Sequence, residues 1–169
     1  MPETARPQLP AQTRQDAVLQ PVASTPQILL AFDFGLTRIG VALGNTLTTS
    51  ARPLTTIHAG SNDTRFAAIS ALITEWRPET LVVGRPLDTA AAVTEMTARA
   101  ERFGRQLQGR FGLPVKFADE RYSSAVAEEA LKVGRADKHK IDAAAAAIIL
   151  QAWLDENSSD NRIENNSET

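Results

Sequence analysis

The sequence predicts an α/β domain in which helices flank a five-stranded mixed sheet. Three strand-like segments come first and are joined by short turns, so neighbouring members of this group should pair antiparallel. Two further strand-like segments each follow a stretch whose apolar residues have helical spacing, so they should join the sheet in parallel. We see no internal repeat in the chain.

The strands follow from apolar runs and from alternation. Residues 28–33 form a continuous apolar run that ends on an acid, and residues 38–44 alternate large apolar residues with glycine and alanine. Short strands are also predicted at 52–57, 81–83 and 115–119.

The helices follow from apolar residues three or four positions apart. They are predicted at 66–76, at 93–107, from 123 or 124 to about 132, and at 141–153. The segment Gly112-Leu113-Pro114 should end the second of them.

The 169 residues suffice for one domain with a real core and are too few for two sizeable ones. Residues 1–26 hold five of the nine prolines and predict a disordered N-terminal arm. The folded domain is predicted at 27–154, and residues 155–169 are predicted to be an acidic flexible tail.

Composition limits the possible chemistry and location. The chain has no cysteine, which excludes disulfides, zinc–thiolate sites and thiol nucleophiles. No apolar run is long enough to span a membrane and no signal pattern is present, so we expect a cytoplasmic protein. The net charge is −2, but the acidic tail carries −4 and residues 27–154 carry +2, which is compatible with a polyanionic partner.

The first strand ends on a charged residue. Asp33 follows the apolar run from Ile28 to Phe32, and Gly35, Gly40 and Gly44 lie in the turn and strand beyond it. A carboxylate at the end of a buried strand is costly unless water, a hydrogen bond or a metal compensates it. The glycines leave room for a ligand near the backbone, so the segment indicates a metal or phosphate site.

Other acids should lie near Asp33. Asp119 and Glu120 end the fifth strand, and Asp142 lies in the first turn of the last helix. The carboxyl ends of the first and fifth strands should open on one edge of the sheet. Side chains alternate along a strand, so only one of Asp119 and Glu120 can face the same way as Asp33, and the other can pair with Arg121.

Clustered carboxylates raise each other's pKa values unless cations fill the site, and an all-oxygen ligand set suits Mg²⁺ or Mn²⁺. Two such ions can drive phosphodiester hydrolysis. Each acid also has a simpler interpretation: Asp33 can start a turn, Asp119 can form a surface ion pair, and Asp142 can stabilise the helix dipole.

Five blocks of sequence resemble the YqgF family, also called RuvX, the pre-16S rRNA nucleases, which are similar to Holliday-junction resolvases. The blocks are DFGLTRIGVALGN at 33–45, ARPLTTI at 51–57, LVVGRPL at 81–87, DER at 119–121 and KIDAAAAAIILQAWLD at 140–155. The resemblance implies a ribonuclease H-like fold and a metal-dependent endonuclease that processes the 5′ end of pre-16S rRNA. It also implies Asp33, Glu120 and Asp142 as catalytic residues and as ligands of Mg²⁺ or Mn²⁺.

Basic residues near these acids are candidates for gripping the phosphate backbone, although each can also be an ordinary solvated residue. They are Arg38, Arg85, Arg121, Lys138 and Lys140. Arg85 is also a departure from the family pattern, which usually has an aliphatic residue between the glycine and the proline of that turn.

Three alternatives remain. A resolvase of four-way DNA junctions would use the same chemistry but needs two cuts and hence a dimer, so both a monomer and a homodimer are open. An actin-like kinase has a similar Asp-x-Gly hairpin, but it needs two such domains and a second phosphate loop. A non-catalytic nucleic-acid-binding module would keep the fold without cleaving.

Overall fold

The computed structural model describes residues 25–58, 60–88, 90, 92–120 and 137–164. These ranges contain five strands and three helices. In chain order they are β1 (Ile28–Phe34), β2 (Arg38–Asn45), β3 (Ser50–His58), α1 (Asn62–Trp76), β4 (Thr80–Pro86), α2 (Glu95–Phe111), β5 (Val115–Glu120) and α3 (Lys138–Glu164). The helix that we predicted from residue 123 or 124 to about 132 lies outside the described residues.

The strands form one mixed sheet in the order β3-β2-β1-β4-β5. The pairs β1–β2 and β2–β3 are antiparallel, whereas β4 lies parallel to β1 and β5 lies parallel to β4. The prediction of a five-stranded mixed α/β sheet is confirmed. The parallel arrangement brings the carboxyl ends of β1, β4 and β5 to one edge of the sheet, which is where the predicted acids end their strands.

The pleat of β1 divides the core into two layers. Leu30 and Phe32 face α1 and α2 and pack in a cluster with Phe66 and Phe103. Leu29 and Ala31 face the opposite way and pack against α3, with Leu150 among its contacts. Both faces of the central strand are thus buried, which explains why β1 reads as a continuous apolar run rather than an alternating one.

Helix α3 is longer than the sequence pattern predicted. We placed the end of the domain at 154, but the helix continues to Glu164. Polar side chains bond to its backbone beyond that point: Asn157 donates to the Trp153 carbonyl at 2.7 Å and Ser158 donates to the Leu154 carbonyl at 2.7 Å. The helix therefore continues through a polar segment, and the flexibility of residues 155–169 stays a prediction. None of the helices in the described ranges is long and apolar enough to cross a membrane.

Candidate active site

Asp33 lies near the end of β1 on the sheet face that α3 covers. It follows Leu29 and Ala31 at intervals of two residues, and both of these belong to the core layer against α3. Its register partner on β2 is Gly40. The pleat therefore points the Asp33 carboxyl toward the start of α3.

Gly40 allows α3 to approach the sheet closely. A Cβ atom on Gly40 would overlap the backbone carbonyl group of Asp142, and one on Gly44 would collide with the side chain of Leu150. The start of α3 therefore lies directly on β2, and Asp142 sits beside Asp33 for that reason. The prediction that Asp142 lies in the first turn of this helix is wrong, because the helix begins at Lys138 and Asp142 belongs to its second turn. We expected these glycines to leave room for a ligand; the backbone of α3 fills that space instead.

The pleat of β5 selects Glu120 over Asp119. Ala118 belongs to the layer against α3, so Glu120, two residues later, faces the same side as Asp33. Gly84 on β4 makes space for it, because a Cβ at this position would overlap the Glu120 carboxyl. The choice that alternation left open is thus decided by packing, and it agrees with the residue that the family resemblance indicated.

Burial contributes most to the raised pKa values of Asp33 and Glu120, and repulsion from a neighbouring carboxylate adds to each. Burial, with a smaller contribution from the charge of Asp142, raises the pKa of Asp33 to about 6. Burial, followed by the charge of Asp33, raises the pKa of Glu120 to about 7. The protonated Glu120 carboxyl donates a hydrogen bond to Asp33, which opposes the rise in the Asp33 pKa and adds to that of Glu120. Perturbed titration in a cluster of this kind is a property of functional sites.

The third acid, Asp142, forms an ion pair. Arg38 Nε donates to Asp142 Oδ2 at 2.6 Å, and both side chains are partly buried. Within the described residues, no group of three or more histidine or acidic side chains is already arranged to hold a metal ion. The contact with Arg38 gives a physical reason, because it draws the Asp142 carboxylate toward a cation of the protein itself.

The other predicted basic residues have different surroundings. Arg85 binds two carboxylates, with Nε 2.8 Å from Asp119 and Nη1 3.1 Å from Glu101 on α2. Asp119 therefore pairs with Arg85 on the face away from Asp33. Lys140 forms an ion pair with Asp137 at 3.2 Å. Arg121 and the side chain of Lys138 lie outside what the structure describes.

The sequence patterns missed a cluster of arginines on the opposite face of the sheet. Arg65 of α1 and Arg99 and Arg102 of α2 line a cavity of about 280 Å³ beside the turn that follows β1. The spacing of Arg99 and Arg102 places them on one helix face, and that signal was available in the sequence. Their convergence with Arg65 depends on the packing of α1 and α2, so no local sequence pattern indicates it.

The fold of this chain has a counterpart among solved structures. T. thermophilus RuvC, solved in complex with a Holliday junction substrate, aligns with a TM-score of 0.51 at 17% identity, covering 78% of this chain and 96% of RuvC. At this level of identity the likeness concerns the fold alone. The fold is ribonuclease H-like, as the family resemblance implied.

Sequence comparison identifies the family. Residues 27–156 match RuvX, described as Holliday junction resolvase. A pre-16S rRNA nuclease of Paraburkholderia phytofirmans is 53% identical over 127 residues, 75% of this chain and 87% of the relative. Its counterpart in Burkholderia cenocepacia is 52% identical over 132 residues, 76% of this chain and 89% of the relative. These matches define the class as a nuclease of ribonuclease H-like fold. The chain belongs to the RuvX family, and the predictions of family, fold and enzyme class are confirmed.

Proposed function

We propose that this protein is an endonuclease that cleaves the 5′ region of pre-16S rRNA with Mg²⁺ or Mn²⁺, and that it acts in the cytoplasm. The observation that carries the proposal is the meeting of Asp33, Glu120 and Asp142, from two strands and one helix, at the carboxyl edge of the sheet. The choice of RNA rests on relatives that are named as pre-16S rRNA nucleases and that this chain matches over most of their length. The absence of cysteine suits a reducing compartment.

The donor set suits a hard divalent cation. The three side chains offer carboxylate oxygens alone, which Mg²⁺ and Mn²⁺ prefer. Asp33 and Glu120 share a hydrogen-bonded proton in a buried place, and a cation that binds there would replace this proton and relieve the repulsion between the two ionised groups. The bound metal would activate water and stabilise the leaving oxygen of a phosphodiester.

The chain's own residues then have distinct parts. Asp33 and Glu120 would hold the metal, and Asp142 would complete the set once its carboxylate turns from Arg38. Arg38 holds Asp142 next to the site until then. Gly40 and Gly84 have a supporting part, since they allow Asp142 and Glu120 to approach Asp33.

The proposal is tested with a cleavage assay on a pre-16S rRNA 5′ leader in Mg²⁺, in Mn²⁺ and in chelator. We expect wild-type protein to cut the leader at a defined position only when metal is present. Asp33→Asn should bind the leader but not cut it. Cleavage by Asp33→Asn, or by wild type in chelator, would contradict the assignment of the site. Binding without cleavage by wild type would favour the non-catalytic module.

A second candidate is a resolvase of four-way DNA junctions, which the description of the matched family favours. The acids do not separate the two functions, because the same hydrolysis applies to both backbones. A junction needs two symmetric cuts, and therefore two active sites related by a dimer axis. A mobile-junction substrate in the same assay, with light scattering to give the oligomeric state, distinguishes them. Paired cuts by a dimer would replace the RNA proposal.

A further inference from the structure

The arginine cavity described above has no part in the chemistry of the acids. Its lining includes Arg65, Arg99 and Arg102, together with Asn62 and Gln106, over a floor formed by Phe34, Leu36 and Phe103. Among the described residues, no acidic side chain lines it. Its volume of about 280 Å³ approaches the lower end of the range of small-ligand sites, about 300–1,000 Å³. Three cations over an aromatic floor predict a phosphate-bearing ligand with an apolar part.

Two of these arginines lack ionic partners. Arg65 and Arg102 make no ion pair within the described ranges, whereas Arg99 is bound to Glu95 at 2.7 Å. The Arg65 guanidinium lies 5.4 Å from the centre of the Phe34 ring. Its Nε is buried without a hydrogen-bond acceptor, and a buried donor normally has one. Arg65 is therefore held in place by an aromatic ring while a donor position stays open.

Arg85 differs from Arg65 and Arg102 because it has ionic partners. It lies on the same face of the sheet but already binds the carboxylates of Asp119 and Glu101. Two anions more than neutralise one guanidinium, so Arg85 offers little attraction to a phosphate. Among the arginines of the described residues that line this cavity, Arg65 and Arg102 are the ones without an ion pair.

The cavity adjoins the acids through consecutive residues. Asp33 faces α3, and Phe34, whose Cα is about 3.8 Å further along the chain, faces the cavity. Leu36 lies in the turn between the two places and is 53% exposed. A strand that crosses the carboxyl edge of the sheet at this turn passes from the acids over Leu36 to the arginines.

We infer that this cavity binds the RNA strand beside the bond that is cut, with Arg65 and Arg102 holding backbone phosphate and Phe34 and Leu36 contacting an unpaired nucleotide. The inference rests on the proposed ribonuclease function. It adds a binding site on the face of the sheet opposite the acids, and it requires that the bound part of the strand be single-stranded, because a base must leave its stack to reach the aromatic floor.

The test compares two exposed arginines of α2. Arg102 lines the cavity, whereas Arg105, three residues further on, does not. In an Asp33→Asn background, which keeps RNA intact, fluorescence anisotropy measures binding of a labelled single-stranded leader RNA between 50 and 200 mM salt. We expect Arg102→Gln to weaken binding about fivefold to twentyfold and to lower the salt slope by about 0.7. Arg105→Gln should stay within about twofold, with the slope unchanged.

The position of the contact is tested with neutral methylphosphonate linkages introduced one at a time. Neutralising the contacted phosphate should weaken binding of the Asp33→Asn protein and have little further effect on the Arg102→Gln double variant. Equal losses for Arg102→Gln and Arg105→Gln would overturn the inference, because they would show a general charge effect. A larger loss of binding for Arg102→Gln than for Arg105→Gln would support the binding site. If the wild-type protein also cuts no RNA, the binding site would stand and the proposed ribonuclease function would be refuted.

Discussion

The two faces of the sheet at the end of β1 carry opposite charge in opposite settings. On the α3 face, Asp33 and Glu120 are half-buried and joined by a hydrogen bond. On the α2 face, Arg65 and Arg102 keep unpaired guanidinium groups around an open cavity. A guanidinium stays charged in such a place, whereas a buried carboxyl gains a proton instead of keeping its charge.

This difference suggests how one strand could position both the catalytic acids and the substrate-binding site of a nuclease. Consecutive residues point to opposite faces, so Asp33 and Phe34 separate the proposed catalytic acids from the proposed binding site within one peptide unit. The acids require tight packing from glycine and α3 to come together. The arginines require only two helices that lie side by side and a ring beneath them. Changes to the acids should therefore alter catalysis and stability together, and changes to the arginines should alter binding alone.

The largest expected effect follows from Asp33→Asn. Loss of the carboxylate that we propose as a metal ligand should reduce the cleavage rate at least about 10³-fold, since a bound metal would supply several kcal/mol of transition-state stabilisation. The same change removes a buried charge that repels Glu120, so the metal-free protein should melt about 3–8 °C higher at pH 8. Calorimetry and single-turnover cleavage measure the two effects. A lower melting temperature would show that Asp33 stabilises the fold and would break the comparison.

The next largest effect is expected from Gly40→Ala, which should disturb the face of the sheet that carries Asp33 and Glu120. The added Cβ would overlap the Asp142 backbone and push the start of α3 from the sheet. We expect a loss of about 1–3 kcal/mol in the free energy of unfolding, together with slower cleavage. Gly109→Ala is the matched control, because a Cβ at this position of α2 meets nothing within 4 Å. That control should be neutral or stabilise by up to about 1 kcal/mol, since alanine favours a helix. Equal urea midpoints for the two variants would refute the close approach.

The pH dependence of stability should come from the acid face. In the folded chain the pKa of Asp33 is raised from 3.8 to about 6 and that of Glu120 from 4.5 to about 7. At pH values between the ordinary and the raised pKa of each group, the folded state binds more protons than the unfolded state. The free energy of unfolding should therefore fall as pH rises from about 4 to 7. The two groups together should lower the free energy of unfolding of the metal-free protein by up to about 6 kcal/mol.

Urea unfolding across this pH range measures the effect, with Asp33→Asn as the reference for all other groups. The variant should lose much of the slope, and Mg²⁺ should reduce the slope in wild type because it favours the ionised acids. An equal slope in wild type and variant would show that the titrating groups lie elsewhere.

The smallest effect is expected from Arg85→Gln. Its two ion pairs are partly exposed, so their loss should cost only about 0.5 kcal/mol of stability. Binding of leader RNA should change less than about twofold, in contrast to Arg102→Gln, because Arg85 is already neutralised. Anisotropy on the two variants in parallel sharpens the distinction between paired and unpaired arginines. A loss equal to that of Arg102→Gln would restore Arg85 as a contact to substrate.

The sequence predicted most of the fold because its signals are local. The apolar run before Asp33, the alternation of β2 and the helical spacing in α1, α2 and α3 each act within a few residues, and all five strands lie where they were predicted. The length of α3 was underestimated, because residues 155–164 are almost wholly polar and carry no apolar periodicity. The choice of Glu120 needed the family resemblance, since alternation alone allowed Asp119.

What the sequence by itself determined is the set of acids at strand and helix ends, the glycines beside them and the family that they indicate. The tertiary structure decided which acids share a face and what occupies the space at Gly40. It also brought Arg65 to Arg102 across two helices while Asp119 and Glu101 neutralised Arg85. Pleat and helix period are properties of neighbouring residues. Charge pairing and close approach join residues far apart in the chain, and only the packed structure brings those together.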